Sequence, residues 1–510
     1  MNLEARQMDR AVGSIVGGAI GDALGAQYEF GPEHPDEFVP QFGKGHFGHG
    51  VGEWTDDTEM SIPILRQAAG ELGAGTSVLE PAGQTAILKE WITWSHWAKD
   101  VGNQTRAVLR AIEAQMAHVE GAVLNEIALQ ASERQHEQAG KSAGNGSLMR
   151  TGPIGLIGIA LSASSEPARS ESASNEPASE KTALAAGQIA QLTHWESDNI
   201  DACVLWSLAI EHAILTGEID VRRGLHFVSE GQRRERWSGY INEAVAPDAH
   251  PRDFMNGNGW VVQAFRAALS AVAGAVSFDD AVYRAIRGGG DTDTVAAIAG
   301  NLAGAKFGLS GIPLSLQLPV HGYPGLDVNA LVRLAALAVR GGKPDKQGWP
   351  SATSMFNPSW RRTEPVQHPF DAGVWLGSQS SLSHLPESVG AVVSLSRLGT
   401  KEIPAGIQSV RVWLIDTAGE NNNLDFTLAE AADVIALLRR QGKQVFVHCA
   451  EARSRTSAVA ALYAVRHRGA SVSEAWSSLN GRNGRGALPH YDPAPFLREA
   501  VERIVTSATR

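Results

Sequence analysis

The sequence predicts a multidomain protein: an all-α domain over residues 1–340, a linker over 341–366, and an α/β domain with a mainly parallel sheet over 367–510. Three observations carry this reading. A chain of 510 residues implies two to four domains at about 150 residues each. The first part of the chain, rich in Ala, Leu, Gly and Trp, repeats its apolar residues at helical spacing with few period-two stretches. The last part alternates short β-branched runs with helical ones, the pattern of a layered α/β fold.

Taken in order, the periodicity predicts helices over 9–27, 58–70, 82–97, 103–116, 200–215, 259–274, 278–286, 293–307 and 328–340. Residues 162–182, dominated by Ser, Glu, Ala and Pro, hold too little apolar surface to order themselves and read as a disordered insert. Residues 341–366 are rich in Gly, Pro, Lys and Ser, as an interdomain linker is. Strands are expected over 390–395, 408–415 and 444–448, and helices over 425–441, 456–468 and 471–479.

Composition narrows the function. With 43% apolar and 19% charged residues, each domain can bury a core. A net charge of −11 argues against a general nucleic-acid binder, leaving nucleic acid only as a modified substrate. Two cysteines, Cys203 and Cys449, exclude a disulfide scaffold or a four-cysteine zinc site and suit a reducing compartment. The opening Met1-Asn2-Leu3-Glu4-Ala5-Arg6 lacks a signal pattern and no apolar run is long enough to span a bilayer, so a soluble cytoplasmic protein is expected.

Two short segments of the first domain resemble each other: Trp54-Thr55-Asp56-Asp57-Thr58 and Gly290-Asp291-Thr292-Asp293-Thr294. Each sets acids and hydroxyls at the start of a predicted helix. Helix capping accounts for one such residue per helix, but not for two acids in both places. Brought together, they supply four carboxylates and two hydroxyls, hard oxygen donors suited to Mg²⁺, Mn²⁺ or Ca²⁺ and not to zinc. Four acids in one cleft repel, and a pair of metal ions is their natural neutraliser.

Four motifs then occur in the order found in the ADP-ribosylglycohydrolase family, which residues 11 to about 320 resemble. They are Gly17-Gly18-Ala19-Ile20-Gly21-Asp22-Ala23-Leu24-Gly25, Glu53-Trp54-Thr55-Asp56-Asp57-Thr58, Gly144-Asn145-Gly146-Ser147-Leu148-Met149-Arg150 and Gly289-Gly290-Asp291-Thr292-Asp293-Thr294. The resemblance implies a compact all-α fold and two Mg²⁺ ions, with Mn²⁺ as the alternative, held by Thr55, Asp56, Asp57, Asp291, Asp293 and Thr294. It implies as substrate ADP-ribose attached to a protein or a small molecule, its ribose hydroxyls on the metals while a metal-bound water attacks C1 through an oxocarbenium-like transition state.

Glu29 lies two helical turns beyond Asp22 and reads either as a solvated helix end or, by resemblance, as a gating or catalytic glutamate. Gly144, Asn145, Gly146 and Ser147 form a turn able to aim backbone N–H groups at a diphosphate, and the family context places them in the ADP-ribose cleft. His194, after Thr193, is a core or cap residue by itself and a substrate contact by resemblance. The spacing of Gly17, Gly21 and Gly25 points to close helix packing, and Cys203 to the core.

In the second domain, Gln444-Val-Phe-Val-His448-Cys449 ends a buried strand, and a short loop leads to a helix near Arg455. A thiol at a helix N-terminus is biased toward thiolate, and the same N–H groups bind phosphate beside an arginine. Cysteine, five residues, arginine and threonine resemble the signature loop of the tyrosine and dual-specificity phosphatases. That implies Cys449 as nucleophile, Arg455 as phosphate clamp, Thr456 as the hydroxyl assisting thiolate departure, His448 tuning the thiol, and Asp416 as general acid, with Asp425 as the fallback.

One departure stands out: Ala452 occupies a position usually held by glycine, at a cost of about 1 kcal/mol or more if the loop turns through positive φ there. Arg453 adds charge to the loop. The reading is a bifunctional hydrolase acting on ADP-ribosylated conjugates and on phosphorylated substrates. The alternative is an ADP-ribose- and phosphate-binding protein whose C-terminal domain is a degenerate phosphatase serving as a targeting module.

Overall fold

The computed structural model describes residues 3–73, 75–116, 124–163, 176–483 and 486–508. The chain divides into two units, Met1–Ile312 with Pro319–Lys343, and Pro313–Leu318 with Pro344–Arg510. In chain order the first part runs α1 (Ala5–Gly25), α2 (Asp56–Ala68), α3 (Pro81–Ser95), α4 (Asn103–Met116), α5 (Leu124–Ala139), α6 (Gly152–Ala163), α7 (Glu176–Gln191), α8 (Ser197–Thr216), α9 (Gly231–Ala244), α10 (Val261–Ala273), α11 (Phe278–Arg287) and α12 (Thr292–Phe307). There follow α13 (Leu314–Gln317), which packs with the second unit, a two-residue ribbon β1 (His321–Gly322) and β2 (Leu326–Asp327), and α14 (Val328–Ala338).

The first unit is organised by α1 against α12. Glycines recur every fourth residue along one face of α1, and the helix they meet has none of the bulk that would hold it off. A Cβ on Gly17 would lie 2.4 Å from the Gly300 carbonyl oxygen, and one on Gly21 2.0 Å from that of Ala296. From the other side, Gly300 and Gly304 meet the carbonyl oxygens of Gly17 and Gly13 equally closely. The backbones therefore touch, and the last turn of α1 lies beside the first turn of α12. Asp22 and Asp293 become neighbours through this contact.

Expectation and structure differ in several places. The ribbon β1–β2 is a small antiparallel element in a unit read as all-α. Helices α5, α6, α7 and α9 were not foreseen: α6 is apolar all round with Gly and Pro inside, and α9 is polar apart from Trp237, Ile241 and Ala244 on its buried face. The predicted disordered insert 162–182 falls partly outside the described residues, at 164–175, while 176–182 open α7, where buried Thr182 is hydrogen-bonded to Glu211.

The second unit holds β3 (Val366–His368), β4 (Asp371–Ser378), β5 (Val389–Ser394), β6 (Gln408–Arg411), α15 (Leu424–Arg440), β7 (Gln444–Cys449), α16 (Arg455–Arg468), α17 (Val472–Leu479) and α18 (Pro495–Ala508). Its sheet runs β3-β4-β7-β5-β6 and is mixed: β4, β7, β5 and β6 pair in parallel, and β3 pairs antiparallel at the edge. Strand β6 stops at Arg411, short of the predicted 415, because its neighbour β5 ends at Ser394. Val445 and Val447 turn to the core shared with α15 and α16, whereas Phe446 packs with Leu382, Val392 and Leu398 on the other face. Cys449 follows the first set.

Of residues 341–366, read as linker, 344–366 belong to this unit and are hydrogen-bonded into it. Asp345 pairs with Arg397 at 2.8 Å, Glu402 accepts from Ser354 Oγ at 2.6 Å and from the Phe356 N–H, and Thr363 Oγ1 donates to Ser378 Oγ. Among the described residues no helix is long and apolar enough to cross a membrane.

The α1–α12 contact sets a stability test. Gly21→Ala forces a methyl into the Ala296 carbonyl, so the unfolding free energy of the full chain is expected to fall by about 2 kcal/mol or more, well beyond a surface Gly→Ala change. Thermal melting reads this directly, and an unchanged melting temperature contradicts the contact.

Candidate functional site

In the first unit the two acid segments converge. Asp22 Oδ1 accepts from the Thr55 N–H at 2.9 Å and from Thr55 Oγ1 at 2.8 Å. Its Oδ2 accepts from the Thr58 N–H at 3.0 Å and from Thr58 Oγ1 at 2.5 Å. The free N–H groups of the first turn of α2 are thus capped from α1, by a residue distant in the chain. Asp56 and Asp57 are consequently not needed as caps, although they occupy the first turn. Thr55 Oγ1 also lies 3.3 Å from Asp57 Oδ2 and 3.4 Å from Asp293 Oδ2, and Thr294 Oγ1 lies 3.4 Å from Asp57 Oδ2.

Carboxylate oxygens of Asp22, Asp57 and Asp293 fall within 4.8 Å of one another, and so do those of Glu29, Asp291 and Asp293. Burial, followed by repulsion among neighbouring acids, drives the Asp56, Asp57 and Asp293 carboxyls well above the usual carboxylate range. Burial lifts Asp22 to about 6 despite the four hydrogen bonds that oppose it. Burial with Asp291, Asp100 and Asp22 nearby lifts Glu29 to about 8. Asp57 Oδ1 is buried without a hydrogen-bond partner among the described residues. An all-oxygen donor set, charged in excess and with an orphaned buried oxygen, fits hard divalent cations.

Neighbouring loops shape this cluster. Asn145 Nδ2 donates to Asp291 Oδ2 at 2.8 Å and to the Asn258 carbonyl at 3.1 Å, and Asn258 Oδ1 accepts from the Asp291 N–H at 3.0 Å. Gly289 and Gly290 turn through φ +76° and +71°, and the Gly290 N–H and carbonyl bond Gly31 and Phe30, which follow Glu29. Ser147 Oγ accepts from Asn199 Nδ2 at 2.8 Å. His194 is 1% exposed, its Nδ1 is bonded to Thr193 Oγ1, and its ring lies under Gly146. Burial first, then Arg150, holds its pKa well below the usual value. Asp22, Asp100, Asn199 and Asn258 were not in the expected set; only Asp22 sat within a recognised motif, Asn199 lies in the first turn of α8, just before the stretch read as helical, and Asp100 and Asn258 lie in loops.

In the second unit β7 ends at Cys449, 3% exposed, and α16 begins at Arg455. Ala452 adopts φ +53°, the positive value at which alanine is strained. Arg455 donates to the carbonyls of Leu395 at 2.7 Å and Leu414 at 3.0 Å, and its Nε lies 3.5 Å from Asp416 Oδ2. Asp416 Oδ1 accepts from Ser454 Oγ at 2.9 Å, so the acid sits against the loop. Its segment is closed by Asn421, which bonds both the N–H and the carbonyl of Ile415 at 2.8 Å. Thr456 Oγ1 is buried with no hydrogen bond among the described residues.

Three details depart from expectation. Asp425 is paired with Arg503 at 2.6 Å. Arg453 points outward and pairs with Asp492. His448 bonds Ser394 Oγ at 2.8 Å and meets Cys449 only at its carbonyl, because alternation along β7 turns the two side chains to opposite faces. Burial holds its pKa down to about 4.

Residues 3–345 match the family model described as ADP-ribosylglycohydrolase, and residues 374–491 the one described as dual specificity phosphatase, catalytic domain. The ADP-ribosylarginine hydrolase Tri1 of Pseudomonas putida (strain GB-1) is 30% identical over 312 residues, 60% of this chain and 72% of its own. The ADP-ribosyl-[dinitrogen reductase] glycohydrolase of Rhodospirillum rubrum is 28% identical over 342 residues, 64% of this chain and 97% of its own. The solved structure of human DUSP28 is 22% identical, covers 30% of this chain and 99% of its own, and superposes with a TM-score of 0.26.

Two measurements follow. Asp22 and Glu29 have folded-state pKa values above the ordinary 3.8 and 4.5, so the metal-free folded chain holds protons that the unfolded chain has lost. That stabilisation is complete below about pH 4 and is lost as pH rises through about 6 and then about 8. Chelator-treated protein should melt lower at pH 8 than at pH 5.5, with Mg²⁺ raising the melting temperature more at the higher pH; an equal rise at both contradicts the charge balance. At the second site, Ala452→Gly should leave stability within about 1 kcal/mol, whereas Ala452→Val, β-branched at positive φ, should lower it by about 2 kcal/mol. Equal melting temperatures for the two variants contradict the strained turn.

Proposed function

The chain belongs to the ADP-ribosylglycohydrolase family, and from that premise we propose that its first unit hydrolyses the glycosidic bond joining ADP-ribose to a modified protein or small conjugate. Arginine-linked ADP-ribose is the first substrate class to consider, since the names of the relatives at 30% and 28% identity specify ADP-ribosylarginine and ADP-ribosylated dinitrogen reductase. The observation carrying the proposal is the buried carboxylate set of α1, α2 and α12, whose charge is in excess of any partner in it.

Two divalent ions, Mg²⁺ or Mn²⁺, would be held by Thr55, Asp56, Asp57, Asp291, Asp293 and Thr294, with Asp22 and Glu29 alongside. When bound, the ions supply positive charge that relieves the repulsion of the set and Lewis acidity toward substrate oxygens. The rest is the work of the chain. Asp22 holds the first turn of α2 in place, and Asn145 with Asn258 holds Asp291. Glu29, its carboxylate within 4.8 Å of those of Asp291 and Asp293, is placed to exchange a proton at the cleaved bond. The Gly144–Ser147 turn, supported from beneath by His194, lines the ADP-ribose side.

The chain is a hydrolase that carries a phosphatase-type domain, and phosphate monoesters are proposed as that domain's substrates. Cys449 Sγ bonds to phosphorus as the ester oxygen leaves, and Asp416 gives that oxygen its proton. Water then displaces the sulfur, with Asp416 taking the proton back and Thr456 Oγ1 donating to the departing thiolate. The guanidinium of Arg455, anchored on Leu395 and Leu414, has further N–H groups for the phosphate oxygens. Both cysteines are free, in keeping with a reducing cytoplasm.

ADP-ribose release from an ADP-ribosylarginine protein by the full chain should fall at least about a hundredfold with chelator or in Asp293→Asn. Release that is indifferent to both sinks the first assignment. Turnover of an aryl phosphate should vanish in Cys449→Ser and drop about a hundredfold or more in Asp416→Asn. A wild-type chain that turns over no phosphate ester removes the second assignment and leaves the first intact.

A further inference from the structure

Arg150 is fully buried, and no acid answers its charge among the described residues. Its guanidinium donates to the Ile189 carbonyl at 3.2 Å and to Thr193 Oγ1 at 2.7 Å. It also reaches the Met60 sulfur at 3.8 Å and lies 4.2 Å over the Trp91 ring. Its Nε finds no acceptor among the described residues. A cation is costly to bury without a counter-ion, and an apolar chain would fill the space between Trp91 and Met60 as well. What the arginine adds is direction. Guanidinium nitrogens only donate, so Thr193 Oγ1 accepts from Arg150 and keeps one proton to give. The other partner of that hydroxyl is His194 Nδ1 at 2.8 Å. Thr193 is 0% exposed, so a proton on Nδ1 would leave the buried hydroxyl proton without an acceptor. Every group is satisfied only when the hydroxyl donates to Nδ1 and the ring proton sits on Nε2. Burial, then the Arg150 charge, disfavours a second proton on the ring. His194 Nε2 makes no hydrogen bond with the described residues. A Cβ at Gly146 would lie 3.2 Å from it and one at Gly144 3.8 Å, so this nitrogen faces the turn.

We propose that Arg150 is a positioning residue: through Thr193 it locks His194 in the Nε2–H tautomer, so that the ring offers a donor at the Gly144–Ser147 turn to a diphosphate oxygen of ADP-ribose. Arg150 lies three residues beyond Ser147, so one segment carries both the turn and the cation that orients the imidazole against it. The inference rests on the proposed ADP-ribosyl hydrolysis for the identity of the acceptor oxygen, whereas the tautomer follows from the hydrogen bonds alone.

Nitrogen NMR of the full chain with isotope-labelled histidine reads the tautomer directly, the His194 signals being assigned by their loss in His194→Gln. Wild type and Thr193→Ser should show a protonated Nε2 and an unprotonated Nδ1. Thr193→Val cannot donate to Nδ1, and Arg150→Met frees Thr193 Oγ1 to accept from it, so both should show the averaged shifts of mixed tautomers. With Mg²⁺ present, ADP-ribose affinity by calorimetry should fall about fivefold in Thr193→Val and Arg150→Met, the size of one net hydrogen bond. Thr193→Ser should stay within about twofold of the wild type. If Arg150→Met fails to fold, the two Thr193 variants decide alone. A proton on Nδ1 in the wild type, or wild-type shifts in every folded variant, overturns the relay and leaves Arg150 a packing residue. Averaged shifts with unchanged ADP-ribose affinity overturn the contact and leave the proposed hydrolysis standing. A wild-type chain that binds no ADP-ribose overturns that reaction and this use of the imidazole, while the shifts still decide the relay.

Discussion

The backbone contact between α1 and α12 is the constraint on which the first unit depends. Helices carrying ordinary side chains keep their axes about 8–10 Å apart. Here Gly13, Gly17, Gly21 and Gly25 face Gly304, Gly300, Ala296 and Asp293, and the carbonyls of one helix lie where the other would carry its Cβ atoms. Each helical glycine gives up about 0.5–1 kcal/mol relative to alanine, so a ladder of them is a sustained local loss. What it gains is position: a carboxylate on the last turn of α1 comes within ligand range of carboxylates on the first turns of α2 and α12.

That geometry also decides what the acids are for. Acids at helix starts ordinarily answer the free N–H groups there, and the Asp-rich starts of α2 and α12 invite that explanation. Asp22 removes it for α2, since its two oxygens take the N–H and hydroxyl hydrogen bonds of Thr55 and Thr58. Asp57 is then buried with one oxygen unanswered among the described residues. Asp291 is steadied from the side by Asn145 and Asn258, a polar support that holds its orientation without cancelling its charge. The unit folds around a charge it does not itself balance, as a site made for cations would.

The second unit solves a different problem with a strand and a helix. Alternation along β7 sends Val445, Val447 and Cys449 to one face and Phe446 and His448 to the other, so the thiol emerges at the loop while His448 is spent on Ser394. Arg455 is fixed by the carbonyls beyond β5 and in the segment after β6, tying the loop to the strand ends beside it. Ala452 at φ +53° is the strained point of this arrangement, and Arg453 is drawn off to Asp492 at the surface.

Much of this was legible in the sequence, and the misses have physical causes. The paired acid segments, the glycine spacing and the Cys449–Arg455 loop are local patterns, as are helices with a clear apolar stripe such as α11 and α15. Helices α6 and α9 hide because one is apolar on all sides and the other is mostly polar. Asp100, Asn199 and Asn258 hide because their role is set by loops and helices brought in by the fold, and 344–366 because its order comes from partners such as Glu402 and Arg397 rather than from an apolar period.

The most direct measurement of the central claim is Mn²⁺ affinity, read by electron paramagnetic resonance of the free ion, in the wild-type chain and in Gly21→Ala below its melting temperature. Gly21→Ala leaves every oxygen donor in the sequence unchanged and alters only the spacing of α1 and α12. The account predicts Mn²⁺ bound by the wild type and affinity weakened about tenfold or more in the variant. Equal affinity in the two, or no Mn²⁺ bound by the wild type, would contradict it.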